Sequence, residues 1–415
     1  MLYLANDDPE LAKLVINEES RLETTLNLIA AENHSPQSIL EIMGSVFNTK
    51  TIEGYPGKRF HSGCIHVDKV ENLAITRGKS LFGAEYINVQ PHSGTSANLA
   101  VYFSVLKTGD RVLSMSLPHG GHLSHGHKAS ITSKCFDFSH YKVNSETEMI
   151  DYDRVREMAL SVKPRMIVAG ASSYPRLIDY EKMSQIAGEV SAFLLADMAH
   201  LAGLVAAKVI PSPVPHCDFV TFTCYKTMMG GRGGVILCKE TFGKKIDKAV
   251  FPGCQGTSAV NLIAAKALIF KLAREEKFVS IQKKTIQNAR IMAEALMEKD
   301  YHIISGGTDN HQVLIDLTSR SISGKSAEDC LESAGIILNR NVVPKDETTL
   351  GKVSGIRLGS GAVSARGMGE PQIRKIVELM DMAMMNPAKK AVVKEVRNRV
   401  LKLCREFPVN RFAEA

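Results

Sequence analysis

The chain has 415 residues, 44% of them hydrophobic and 23% charged, with 31 Gly, 15 Pro, 8 Cys and no Trp. That composition excludes disordered, collagen-like and disulfide-scaffold chains, and the length exceeds the roughly 250 to 300 residues that one core supports, so a large and a smaller domain are expected. Lys+Arg 51 against Asp+Glu 44 gives +7 without a dense basic block, which speaks against nucleic-acid binding and suits an anionic small molecule in a basic cleft or a plain Lys-rich surface.

No apolar run approaches the roughly 18 to 20 residues of a membrane helix, and the N-terminal MLYLANDDPE is acidic where a signal peptide is basic and then apolar. A cytoplasmic protein without membrane attachment is expected. The cysteines are scattered without a CxxC pair, which suits reduced thiols and indicates neither a zinc site nor a disulfide framework.

In chain order, residues 1–50 read as helices and an arm, with 28–31 apolar and 33–36 a turn. From about Leu81 short β-prone runs alternate with helical stretches: YINVQ, RVLSMSL, KCFDF, RMIVAGASS, AFLLADMAH, FVTFTCYK and GGVILCKE. This alternation predicts an α/β fold, a mostly parallel sheet with helices on both faces, and places ligands at the carboxyl ends of the strands. Beyond Glu275, helical spacing at Ile286, Ala289, Ala293 and Leu296, at Ile373, Ile376, Val377, Met380 and Met384, and at Val393, Val396, Val400 and Leu403 frames the strand-like HQVLIDL and GIRLGS. The expected division is 1–50 as an N-terminal helical arm, 51–275 as the large domain and 276–415 as a smaller α/β domain. The Met-rich MDMAMM reads as core filler.

The strand 219–226 ends in Lys226 and runs into TMMGGRGG. A lysine at a buried strand end is costly unless neutralised, paired or covalently used, so Lys226 is a candidate Schiff-base lysine, with a surface lysine as the plainer reading. The preceding strand ends in Asp197 and His200, where a carboxylate can hold the ring nitrogen of pyridoxal phosphate or serve as a helix cap. Ser93, Gly94 and Thr95 lead into a helix and offer hydroxyls and N–H groups to a phosphate. PHGGHLSHGH, 118–127, raises the question of metal, but no acidic residue or cysteine accompanies it, and His122 is favoured as a ring-stacking partner. Arg357 can clamp a carboxylate or form a salt bridge.

Over nearly its whole length the chain resembles the serine hydroxymethyltransferases, a pyridoxal-phosphate family of the aspartate aminotransferase-like fold (fold type I). The matching stretches are LIAAEN, EGYPGKR, NVQPHSG, HGGHLSHG, DMAHLAGLVAA, VTFTCYKT with GGRGG, SGGTDNH and SGIRLG. The resemblance implies that Lys226 bonds pyridoxal 5'-phosphate covalently, Asp197 pairs with its ring nitrogen and His122 stacks on the ring. Ser93, Gly94 and Thr95 would hold the phosphate, Ser172, His200 and Thr223 would flank the ring, and Arg357 would bind the substrate carboxylate. Glu53 corresponds to the proton-transfer carboxylate, and Leu117, Gly121, Phe251 and Asn341 match positions that contact folate. The implied reaction moves the hydroxymethyl carbon of serine to tetrahydrofolate in a homodimer or dimer of dimers, with Glu53 and Phe251 serving the partner's site.

Several family positions differ. Tyr225 stands where a histidine usually precedes the lysine, Ala31 replaces a serine, Thr51 and the pair Phe60–His61 stand where tyrosines are common, Thr257 replaces a glycine and Asn261 a histidine. Tyr225 is therefore a candidate in catalysis and, with Thr51, Ala31 and His61, in specificity. Neutral drift in a serine enzyme explains these changes; so does an α-substituted substrate such as 2-methylserine yielding alanine. A folate-independent aldolase of β-hydroxy amino acids is a further alternative, against which the retention of Glu53, Leu117, Phe251 and Asn341 weighs, and the presence of Lys226, Asp197, His122 and Arg357 weighs against a catalytically silent relative.

Overall fold

The computed structural model describes residues 2–348 and 353–409. Its centre is a seven-stranded sheet built from β1 (Tyr86–Asn88), β2 (Arg111–Met115), β3 (Asp137–Tyr141), β4 (Met166–Gly170), β5 (Phe193–Asp197), β6 (Phe219–Thr223) and β7 (Gly234–Cys238), in the order β1-β7-β6-β5-β4-β2-β3. Only β7 runs against its neighbours. Strands β4, β6 and β7 are buried along their whole length, because helices cover both faces and no position can be polar at little cost.

One expected strand is displaced. Lys134 and Cys135 end a short helix, Ile131–Cys135, whose first N–H groups are capped by the Ser130 hydroxyl, and the strand begins only at Asp137. The local cap outweighs the β-prone composition of KCFDF.

A second sheet is formed by β8 (His302–Ile303), β9 (Gln312–Asp316), β10 (Asn339–Asn341) and β11 (Gly355–Gly359), ordered β8-β9-β11-β10 and antiparallel throughout. Helices α1 (Pro9–Thr24), α2 (Ile65–Phe82), α3 (Gly94–Val105), α4 (Val260–Leu272), α5 (Glu276–Met297), α6 (Glu370–Met384) and α7 (Lys390–Glu406) surround the two sheets. The apolar side chains of α6 and α7 that follow helical spacing, Ile373, Ile376, Val377, Met380, Met384, Val396, Val400 and Leu403, are buried in one cluster with Leu26 and Leu28. Helix α5 passes between the two cores: Phe278 and Ile286 pack with the large sheet, and Ala289 to Leu296 with the small one.

The N-terminal segment is held by this second core. Asp8 caps α1 by accepting from Leu11 N at 2.9 Å, and Pro9 occupies the first turn, where its missing N–H costs nothing. Leu26–Asn27 then pairs in parallel with Ile336–Ile337. Arg366, 5% exposed, closes the junction by donating to the carbonyls of Thr25, Cys404 and Phe407. Among the described residues no helix is long and apolar enough to cross a membrane.

A buried cation supports the loop after β1. Lys266 on α4 is 1% exposed and donates to the carbonyls of Val89 at 2.6 Å and Pro91 at 3.1 Å. Burial depresses its pKa to about 8, with Cys224 and Glu71 opposing weakly. Below about pH 8 both folded and unfolded chains carry this proton, and the folded state bears the full desolvation cost. Between about 8 and 10.5 the folded chain releases it first, so this cost is relieved as pH rises. Denaturant titrations of the parent and Lys266→Met across that window are expected to show the parent gaining on the order of 2 kcal/mol relative to the variant; parallel stabilities would contradict the depressed pKa.

Candidate functional site

Strands β5 and β6 run side by side and in parallel, with Asp197 paired in register to Thr221 and, across β4, to Gly170. A side chain at Gly170 would meet the Asp197 carbonyl at 2.6 Å, so glycine is what lets β4 approach the carboxylate-bearing residue. Lys226 follows β6 in a tight turn closed by Gly230 N donating to the Cys224 carbonyl at 2.7 Å. Thr227 locks this turn to the end of β5: its hydroxyl donates to the His200 carbonyl at 2.9 Å and accepts from Gly203 N at 3.0 Å.

Asp197 is 9% exposed and is the most heavily supported side chain of the cluster. Its Oδ2 accepts from Asn98 Nδ2 at 2.8 Å and lies 3.0 Å from His125 Nε2, while Oδ1 accepts from Ala199 N at 3.0 Å. The His122 backbone N–H points at His125 Nδ1 at 3.4 Å, which leaves the Nε2 proton for Asp197. Asn98 is fixed in turn by the Thr221 hydroxyl, which donates to its Oδ1 at 2.6 Å. Burial alone would raise the carboxyl pKa, but the His125 hydrogen bond, the His125 and His122 rings and the Asn98 amide outweigh it and hold the carboxylate well below its usual range.

The surrounding imidazoles are pushed the other way. Burial lowers His122 to about 4, His125 adding to the effect and Asp197 opposing it. Its Nδ1 accepts from Ser124 N at 3.2 Å and lies 2.8 Å from the Ser124 hydroxyl. Burial, Lys226 and Arg357 drive His200 well below its ordinary value, and burial takes His311 to about 3. These last two rings stack 5.5 Å apart at 22°, and His311 Nε2 lies 3.1 Å from the Ala30 carbonyl. Three neutral rings therefore surround a lysine whose pKa burial lowers to about 8, Asp197 opposing and Arg357 assisting. An amine so poised is partly neutral near physiological pH and able to attack a carbonyl.

The cradle for an anionic group lies at the start of α3. Ser93 caps the helix through its hydroxyl, which accepts from Ser96 N at 3.1 Å, and Ser93 and Thr95 are both exposed. A Cβ at Gly94 would stand 2.7 Å from the Thr223 methyl, and one at Gly234 would meet the Ser93 carbonyl at 2.1 Å. Glycine at both places keeps the helix start, β6 and β7 in close contact. Pyridoxal phosphate fits this set: hydroxyls and N–H groups for the phosphate, a held carboxylate for the ring nitrogen and a lysine of lowered pKa for the aldehyde.

Arg357 enters from β11. It is 9% exposed, donates to the Ser172 carbonyl at 2.6 Å and to Asn339 Oδ1 at 3.2 Å, and burial lowers its pKa to about 10. Ser172 N donates to the Gly120 carbonyl at 2.7 Å, tying Arg357 to the turn that carries Leu117 and Gly121. Asn341 pairs with Gly355 at the start of β11. Ala31 follows residues stitched to the other end of that strand, since Gly359 N donates to the Leu28 carbonyl at 2.7 Å.

Among the described residues, Glu53, Thr51, His61 and Phe251 take no part in the hydrogen bonds given above for Lys226, Asp197 and Arg357. Thr51 and His61 are exposed, Glu53 is half-buried, and the rings of Phe60 and Phe251 lie 5.8 Å apart, tilted at 56°. Among the described residues no hydrogen bond or ion pair joins Glu53 to the Lys226 cluster. Tyr225 carries the Arg232 guanidinium 4.5 Å above its ring and borders a cleft of about 360 Å3 lined by Asn33, His34 and Ser35. Arg59 is committed to buried Glu71 at 2.5 Å and to Asp68 at 2.9 Å, so this basic residue serves the fold.

Sequence reading misses His125, Asn98 and His311. The signal for His125 is its place as the third histidine of HGGHLSHG, and for Asn98 its place as an amide among the buried Ala97, Ala100 and Val101 of its helix. Asp197 also joins His122 and His125 in one group of potential ligand atoms, all within 4.8 Å of one another, that the segment 118–127 alone does not contain. The His125 and Asn98 hydrogen bonds to Asp197 and the Ser124 contacts to His122 engage these groups with protein partners.

Residues 4–380 match the family model described as serine hydroxymethyltransferase. Curated proteins named serine hydroxymethyltransferase from Dehalococcoides mccartyi strains CBDB1 and ATCC BAA-2100 are each 48% identical over 410 residues, 99% of this chain and 99% of each relative. The protein of strain 195 is 47% identical over the same length. With a lysine, a supported carboxylate and a phosphate cradle meeting at the strand ends, the chain belongs to the serine hydroxymethyltransferase family.

Proposed function

We propose that this protein is a pyridoxal-phosphate-dependent hydroxymethyltransferase that moves the hydroxymethyl carbon of serine reversibly to tetrahydrofolate, giving glycine and methylenetetrahydrofolate. The observation that carries the reading is the Asp197 carboxylate, buried yet held ionised by His125 and Asn98, beside a lysine of depressed pKa. When bound, pyridoxal phosphate supplies the electron sink for cleavage next to the α-carbon. The chain supplies the rest.

Lys226 would bond the cofactor's aldehyde, Asp197 would pair with its ring nitrogen, and neutral His122 would stack on its ring. Ser93, Gly94 and Thr95 would hold the phosphate, and Ser172, His200 and Thr223 would flank the ring. Arg357 takes the amino-acid carboxylate through its planar fork and fixes which bond at the α-carbon is set for cleavage. Glu53 moves the proton at the hydroxymethyl group, and Leu117, Gly121, Phe251 and Asn341 contact folate. The protein acts as a homodimer or dimer of dimers in which each subunit lends Glu53 and Phe251 to the other's site, as the family resemblance implies. Residues 1–50, 51–275 and 276–415 then act as arm, cofactor domain and small domain of a cytoplasmic enzyme. The 2-methylserine and folate-independent readings have no observation of their own in their favour.

Apoenzyme treated with pyridoxal phosphate and borohydride is expected to retain label on Lys226 and to lose it in Lys226→Ala, with the capture rate rising as pH passes about 8, where the amine becomes neutral. Label persisting in the variant would refute the assignment. His125→Ala and Asn98→Ala each remove a hydrogen bond to the charged Asp197 and should weaken cofactor affinity by about 10- to 100-fold, from roughly 1.5–3 kcal/mol; unchanged affinity would deny Asp197 its role. With tetrahydrofolate present, the holoenzyme should release glycine from L-serine at least about tenfold faster than alanine from 2-methylserine, the scale on which hydrophobic pockets discriminate one methyl. The reverse ranking would assign it to the α-substituted substrate.

A further inference from the structure

Thr257 lies in a loop 205 residues from the segment that carries Glu53, yet its hydroxyl makes both backbone hydrogen bonds of Ile52. Thr257 Oγ1 accepts from Ile52 N at 2.7 Å and donates to the Ile52 carbonyl at 2.8 Å. A hydroxyl is one of the few side-chain groups that can donate and accept at a single atom. Ile52 itself is 1% exposed, so its side chain is anchored in the core while Thr257 fixes its peptide groups.

Glu53 is thereby bracketed. On its far side, Phe60 N donates to the Glu53 carbonyl at 3.0 Å. The Gly54 carbonyl accepts from Arg59 Nη1 at 2.6 Å and from Gln90 Nε2 at 3.0 Å. Gly54 has φ +88, and a Cβ there would strike the Lys58 carbonyl at 2.3 Å. The Thr257 loop is itself held against the strand leading to Ser93. Gln255 Nε2 and the Ser258 hydroxyl both donate to the Gln90 carbonyl, at 2.8 and 3.0 Å, and His92 Nε2 lies 3.1 Å from the Thr257 carbonyl. A Cβ at neighbouring Gly256 would lie 4.0 Å from Glu53 Oε1, so the carboxylate rests over this loop.

We infer that Thr257 is a positioning residue for Glu53: its hydroxyl clasps the Ile52 peptide and so sets where the Glu53 carboxylate is presented. A glycine, the residue common at this place in the resembling family, has no group with which to make this clasp. The inference rests on the reading of Glu53 as the carboxylate that moves a proton at the hydroxymethyl group. It predicts a defect confined to steps that need that group.

Thr257→Val keeps the shape and removes the hydroxyl; Thr257→Ser keeps the hydroxyl. With holoenzyme, Thr257→Val is expected to lower kcat for tetrahydrofolate-dependent serine cleavage by about tenfold, within the range that small misplacements of a reacting group produce. Its KM for serine, its pyridoxal-phosphate affinity and its exchange of the glycine α-proton in D2O, a reaction without a hydroxymethyl group, should stay within about twofold. Thr257→Ser should behave as the parent. Glu53→Gln should show the same split, and the double variant Glu53→Gln, Thr257→Val should lose nothing further, because both changes act on one group. Equal loss in serine cleavage and glycine exchange, or weakened cofactor binding, would make Thr257 a general structural residue and overturn the inference. If Glu53→Gln impairs serine cleavage while Thr257→Val does not, the clasp alone is refuted; if Glu53→Gln leaves serine cleavage intact, the role given to Glu53 fails and the inference falls with it.

Discussion

The structure turns on keeping one carboxylate charged in a place largely closed to water. Asp197 ends a buried strand, and an ion there is stable only if the protein supplies the solvation that burial removes. His125, Asn98 and the Ala199 peptide do so, and two of them are held by a further partner: Asn98 by Thr221, the His125 ring by the His122 backbone. The same cost falls on the basic side chains near by, which meet it by giving up charge. His122 and His200 are neutral and Lys226 is partly so, leaving Arg357 as the persistent cation facing the cluster. The fold thus separates a fixed negative end from a fixed positive end across a band of neutral rings.

This separation follows from the sheet. Parallel neighbours bring the ends of β4, β5 and β6 to one edge, so Gly170, Asp197 and Lys226 meet although 27 to 29 positions divide them along the chain. Arg357 reaches the same edge from the second sheet, where its bond to the Ser172 carbonyl ties the two sheets together. Helix α5, shared by both cores, makes that relationship stiff.

The legible part of the fold and site is the part written in local pattern. Buried strands read as β-branched and aromatic runs, and charged or imidazole side chains at their ends stand out because nothing else in the run is ionisable at neutral pH; Asp197, His200 and Lys226 are visible for that reason. The partners that make them work are not. His125 is 72 residues from Asp197 and Asn98 is 99, and no spacing rule links such pairs before the strand order is known. Thr257 is visible only as a departure from a family pattern, and the meaning of its hydroxyl requires Ile52 to be placed beside it. The excess of basic residues suits an anionic ligand, yet the charge of one of them, Arg59, is absorbed by Glu71 and Asp68. The KCFDF strand is displaced to Asp137–Tyr141 for a local reason, a serine cap that starts a helix turn where composition favours extension.

The short parallel pairing of Leu26–Asn27 with Ile336–Ile337 has a consequence for how the chain comes into being. Leu26 and Leu28 leave the ribosome well before Val400, Leu403 and Cys404, which belong to the apolar cluster that receives them. The large sheet and its covering helices can assemble while synthesis continues, but the N-terminal segment must wait, solvent-exposed, for its neighbours. Closing a contact across more than 300 residues is entropically costly on its own and becomes favourable only once both flanking cores exist. Leu26 and Leu28 and the last turns of α7 are therefore bound to a single late event, the joining of the smaller core.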